Sequence, residues 1–312
     1  MHTHASYSSS TAATDDSRVP EGIAFLELVA ARERECRETT VTERQNMGEK
    51  APKCLSAMGT LLSLLDRTAS CWWGCDQGSH LLEYLIGRSV ASAMAALLAA
   101  QSGYYDEALN QVRSLGEIAN LLALFAVERK SLVDWTAASK KERLSKFGPS
   151  AVRKRLSEIS APMPVSAERY AALCEIVTHP TPDTRPQSYN PLGIPSVGQT
   201  FQPAGYLVTL NEIALPLFSI GYFASVLVTL PPEICVRLRS EARVLAEAGG
   251  GVNLMEGYPV LTDDARRKLL NLLREASEED RPLLQKAILD MAQRASIAGT
   301  DSRSDSVGDF ST

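Results

Sequence analysis

HLLEYLIGRSVASAMAALLAAQSGYYDEALNQVRSLGEIANLLALFAVER, residues 80–129, decides the fold. Ala and Leu dominate it, and both lose little on entering a helix. Its one break is Gly103-Tyr104-Tyr105-Asp106. The spacing predicts two long helices, His80–Ser102 and Asp106–Arg129, folded back on each other as an antiparallel hairpin. Ser79 is expected to cap the first and Gly103 to stop it. Asp106 and Glu107 open the second, where the positive end of the helix dipole favours acid. Ala108, Val112, Leu115, Ala119, Leu122, Ala123 and Ala126 form an apolar arc on this second helix. Arg113, Glu117 and Asn120 fall opposite, at i, i+4 and i+7, within about 60° of one another. Leu109 and Leu124 share that polar stripe, so partial burial is expected, and buried charge without a partner is expensive.

Outward from the hairpin, composition agrees. The chain has 312 residues, 45% hydrophobic but only 6% aromatic. Period-two runs of Val, Ile, Thr and aromatics are nearly absent, so strands are not expected. The fold class is all-α: a multi-helix bundle with a central antiparallel helical hairpin and a small C-terminal helical extension. Residues 1–19 are polar and expected to be disordered, and 20–50 hold a helix with Ile23, Leu26 and Val29 on one side. Residues 51–248 form the bundle. Its other helices are expected at Pro52–Asp66, Ala137–Lys146, Pro149–Ile159, from the Ser166 cap to His179, Gly205–Leu230 and Pro232–Glu247. Residues 249–298 carry the extension, with helices Asp263–Glu275 and Glu279–Ala295, and 299–312 are a polar tail.

Ile213–Leu230 is eighteen residues without a formal charge, close to the length of a membrane span. Pro216 and Gly221 interrupt it. A helix apolar all round also suits the centre of a bundle, and that is the expectation, with no membrane association. The six cysteines sit mostly in apolar helical contexts, and the N-terminus lacks the apolar core of a secretory signal. Reduced thiols and a cytoplasmic location follow as expectations.

Net charge is −5, yet Arg129–Arg155 holds nine Lys/Arg against Asp134 and Glu142. Within it, Lys140, Lys141, Arg143, Lys146, Arg153, Lys154 and Arg155 are candidates for nucleic-acid contact, with Trp135 and Phe147 as rings for stacking. A solvated helix face has the same composition. Arg113 suits bidentate phosphate binding, with Glu117 orienting it; a plain intrahelical ion pair reads the same way. His179 closes a helix four residues after Glu175, which suits phosphate binding or proton donation, or simple helix capping. Cys71, Cys75 and His80 lack a fourth metal ligand at usual spacing, so no metal is expected, and Trp72 and Trp73 read as a core plug. No P-loop, dinucleotide glycine fingerprint, His-Glu-x-x-His or Gly-x-Ser-x-Gly is present, and no cofactor is expected.

The order of features resembles a known one. A small-residue helix leads into Gly-Tyr-Tyr-Asp-Glu-Ala, then Val112-Arg113-Ser114-Leu115-Gly116-Glu117, and later Tyr170-Ala-Ala-Leu-Cys-Glu-Ile-Val-Thr-His179-Pro180. Over roughly residues 55–230 the chain resembles uncharacterised bacterial members of the HEPN-like helical-bundle superfamily. The resemblance implies a protein that binds or cleaves RNA without a metal, often in phage defence or toxin–antitoxin systems, and commonly as a homodimer. Catalysis there uses an Arg followed four to six residues later by a His; no histidine of this chain stands in that pattern. The implied roles fall instead on Arg113 for the scissile phosphate, Glu117 for its orientation and His179 for proton donation. The alternative is a non-catalytic module that forms a homodimer through the small-residue helix, with Gly87 and Gly116 allowing close approach, and docks a protein partner through the C-terminal helices.

Overall fold

The computed structural model describes residues 20–75, 80–180 and 197–249, with scattered positions between 267 and 280. Among them there are ten α-helices and no strand. They are α1 (Gly22–Asn46), α2 (Lys50–Ala69), α3 (Leu81–Gln101), α4 (Tyr105–Val127), α5 (Arg129–Ala137), α6 (Lys140–Phe147), α7 (Pro149–Glu158), α8 (Ala167–Leu173), α9 (Pro203–Leu227) and α10 (Pro232–Ala248). The all-α bundle and its α3–α4 hairpin stand as expected. The two tails and the expected C-terminal helices Asp263–Glu275 and Glu279–Ala295 fall largely or wholly outside the described residues.

The hairpin turns at Gly103, whose φ of +81° is a left-handed conformation that glycine adopts without steric cost. A Cβ there would meet the Thr200 backbone nitrogen at 2.7 Å, so the segment before α9 passes directly over the turn. Tyr105 anchors it: its hydroxyl accepts from the Gln202 backbone N–H at 2.8 Å. Tyr104 donates to Glu33 of α1 at 2.9 Å. The two tyrosines of the turn thus tie α1 and the start of α9 to the hairpin.

Helix α9 sits at the centre, packed against α2, α3, α4 and α10. Its all-round apolar sequence requires such a position, because no face is suited to water. Pro216 and Gly221 do not interrupt it. Gly221 is where Leu61 of α2 enters, and Gly205 is where the Tyr105 ring lies against the backbone. α3 and α9 are both long and apolar enough to cross a membrane, yet 72% of the apolar window of α9 is buried inside the bundle.

The small residues Ser89, Ala93, Ala96 and Ala100 of α3 are fully buried against neighbouring helices of this chain, whereas Ala91 and Ala95 are exposed. The large apolar side chains that α3 leaves exposed are Tyr84, Met94 and Leu98. On α1, Ile23 and Leu26 are exposed; its contact with the bundle runs instead through Cys36 and Thr40, whose hydroxyl donates to the Gln101 carbonyl. The expected second hairpin helix also ends sooner, at Val127. Glu128 breaks it, and α5 follows where a connection was expected.

Candidate functional site

Asn120 organises the region. It is 2% exposed, and its amide meets both backbone groups of Val165: Nδ2 donates to the carbonyl at 2.9 Å, and the Val165 N–H donates to Oδ1 at 3.0 Å. One turn earlier on α4, Gly116 leaves room for the Val165 side chain, which an added Cβ would meet at 3.0 Å. Val165 is thereby fixed on α4. Ser166 follows and caps α8 by accepting the Arg169 N–H at 3.2 Å. Arg169 faces the buried Glu212 of α9 at 3.6 Å, holding α8 from a second side.

This placement sets Tyr170 against α4. Arg113 Nη1 donates to Glu117 Oε1 at 2.8 Å and to the Tyr170 hydroxyl at 2.7 Å, and the hydroxyl donates to the same Oε1 at 2.8 Å. The result is a closed ring of three side chains, and Asn120 extends the row as the stripe on α4 implied. Burial, together with the Glu117 carboxylate that accepts its proton, raises the Tyr170 phenol to about 12, so it stays protonated at neutral pH. Desolvation opposes the charge on Arg113, but Glu117 and Tyr170 outweigh it and the guanidinium is held charged.

Arg153 completes the cluster. It reaches in from α7 and stacks its guanidinium over the Tyr170 ring, 4.0 Å from the centroid. Two guanidiniums therefore meet one tyrosine and one carboxylate. Arg113 Nε and Arg153 Nη1 are both buried and have no hydrogen-bond partner among the described residues.

The other basic residues divide. Lys140 and Lys141 are exposed on α6. Arg143 donates to the Ala138 carbonyl at 2.6 Å, and Lys146 pairs with Glu142 at 3.2 Å. Lys154 lies 4.0 Å from Glu158, and Arg155 binds Glu128 at 2.6 Å. Trp135 leans on Phe125 with ring centroids 5.5 Å apart, and both Trp135 and Phe147 are half-buried against the core.

After α8 the chain widens into a π-helical turn, Cys174–Thr178, a form often found at functional sites. Thr178 donates to Asn110 of α4 at 3.3 Å, and His179 caps the turn, its N–H donating to the Cys174 carbonyl at 2.9 Å. The His179 side chain is exposed. Arg113 and Glu117 are brought together; His179 shares their element pair but is not among the groups that Arg113 touches.

A second cluster lies at the α2–α3 connection. Cys71, Cys75 and His80 converge there, with their ligand atoms all within 4.8 Å of one another. Trp73 packs against the core as a plug, whereas Trp72 is 71% exposed beneath the guanidinium of Arg67. All six cysteines are free thiols.

No protein-family model, curated protein or solved structure matches the chain. The resemblance to the HEPN-like superfamily therefore rests on the quoted residues alone.

Proposed function

We propose that this chain is an RNA-binding helical bundle that grips a backbone phosphate where α4, α7 and α8 meet. One observation carries the reading: Arg113 and Arg153 converge on Tyr170, and among the described residues only Glu117 forms an ion pair with either. The Arg113 side chain keeps 27% of its surface and Arg153 is half-buried, so each guanidinium retains surface at which an incoming acceptor can be bound. Phosphate suits guanidinium through paired, charge-assisted hydrogen bonds. Exposed lysines on α6 and α7, with Lys140, Lys141 and Lys154 foremost, extend the positive surface along which a nucleic-acid strand would run. RNA rather than DNA follows from the superfamily resemblance, and action in the cytoplasm from the expected reduced thiols.

The test is a titration of labelled single-stranded RNA with the full chain and with the Arg113→Gln/Arg153→Gln double variant. The reading expects binding by the first and at least a tenfold loss in the second. Equal binding by both would reject the site. The same samples run on a gel read cleavage, and fragments that vanish with His179→Ala would extend the proposal to a metal-independent ribonuclease.

The exposed stripe Tyr84, Met94 and Leu98 favours a second reading, a non-catalytic module that forms a homodimer through α3. Sedimentation of Leu98→Lys beside the unmodified chain tests it. A dimer that becomes a monomer supports this reading, and identical behaviour rejects it.

A further inference from the structure

Just after α2 the chain turns sharply at residues 71–74. Cys71 has a φ of +55° and Gly74 one of +94°, and the Gly74 N–H closes a turn onto the Cys71 carbonyl at 3.0 Å. The reversal brings two thiols and an imidazole to one point. Cys71 Sγ lies 3.4 Å from His80 Nδ1, and the Cys75 thiol is within 4.8 Å of both. A tetrahedral zinc ion with Zn–S of about 2.3 Å and Zn–N of about 2.0 Å has S···N edges of about 3.5 Å and S···S edges of about 3.8 Å. The Cys71–His80 separation therefore already matches an edge of that tetrahedron, and the Cys75 thiol lies within 4.8 Å of both donors. Linear spacing hid this, because it does not register a left-handed residue that reverses the chain.

Glu83 stands one helical turn beyond His80, outside the cluster of three as it is placed, and is only 7% exposed. It acts on Cys71 through its charge. His80 and Glu83 are three residues apart on the helix, so both face the same side.

We propose that Cys71, Cys75 and His80 bind one zinc ion, with Glu83, directly or through a water, completing the coordination. Two thiolates and an imidazole favour zinc over the hard cations magnesium and calcium. The ion would clamp the end of α2 to the start of α3 and hold Trp73 in the core. This inference is independent of the RNA-binding reading.

The test uses the full chain, purified under reductant, stripped with chelator and titrated with cobalt(II), then with zinc. The expected result is about one metal per chain. Cobalt should give a thiolate-to-metal charge-transfer band with intense visible bands of tetrahedral type, and zinc should displace them. Cys75→Ser and His80→Ala should each weaken cobalt binding by at least the roughly tenfold that a lost supporting contact costs. Glu83→Gln should change the visible bands, and Cys235→Ser should leave them as they are. Circular dichroism of each variant separates metal loss from unfolding. Weak octahedral-type bands, binding unchanged in Cys75→Ser, or a mass two hydrogens lighter from a Cys71–Cys75 disulfide under the same reductant would each overturn the proposal.

Discussion

Replacing Asn120 with alanine removes the two hydrogen bonds that fix Val165 on α4. Both backbone groups of Val165 then lie buried without those partners, at about 1–3 kcal/mol each. Alanine returns up to roughly 0.7 kcal/mol through its higher helix propensity. The net expected loss is about 1–5 kcal/mol, or a melting temperature lower by about 3–20 °C for a bundle of this size. Asn120→Asp keeps the acceptor for the Val165 N–H but turns a second oxygen toward the Val165 carbonyl, so it should cost at least as much at neutral pH. Urea unfolding followed by circular dichroism measures both. Hydrogen exchange at the Val165 amide should quicken in parallel, because that amide has lost its acceptor. A loss below about 1 kcal/mol for Asn120→Ala would refute the argument that this amide holds α8, and with it Tyr170, in place.

Three further predictions concern other contacts. Gly116→Leu should destabilise the folded chain rather than alter its association, since a side chain there runs into Val165 of the same chain; thermal melting beside sedimentation separates the two. Gly103→Ala should cost at least about 1–2 kcal/mol, because its φ is left-handed and Thr200 blocks the added carbon, and denaturant midpoints will show it. Arg155 and Ser131 hold the Glu128 carboxyl down to about 2. A lowered folded value gives stability that is complete above the unfolded value and is lost as pH falls toward the folded one. Urea midpoints should therefore drop between about pH 5 and pH 2, and Arg155→Met should flatten part of that drop.

The fold was largely legible because it depends on local signals. Helix α9 carries the clearest: a stretch with no polar face has nowhere to go but the centre. The cost of Pro216 and Gly221 was overestimated, because burial of both in the bundle, with Leu61 seated on Gly221, outweighs propensity within that helix. The small face of α3 was legible as an interface, but periodicity cannot distinguish a neighbouring helix from a second copy. The Arg113–Glu117–Asn120 row was also visible on α4. What escaped was its completion by Tyr170 and Arg153, which lie far away in sequence. A faint signal existed for Arg153. Val152 and Leu156 define the buried stripe of α7, and Arg153 and Arg155 flank it on either side while Lys154 points away. Helix geometry thus marks both arginines as able to turn inward, but only tertiary structure sends one to Tyr170 and the other to Glu128.

The central claim is that the Arg113–Arg153 cluster holds an RNA phosphate, and Arg153→Gln tests it most directly. Arg153 stacks on Tyr170 without belonging to the hydrogen-bonded ring, so its loss should leave the ring and the fold intact. The measurement is the affinity for a labelled single-stranded RNA across a series of salt concentrations. The account predicts that Arg153→Gln weakens binding by about tenfold or more and makes the slope of log K against log salt shallower by about 0.7. Affinity and slope unchanged from those of the unmodified chain would contradict it.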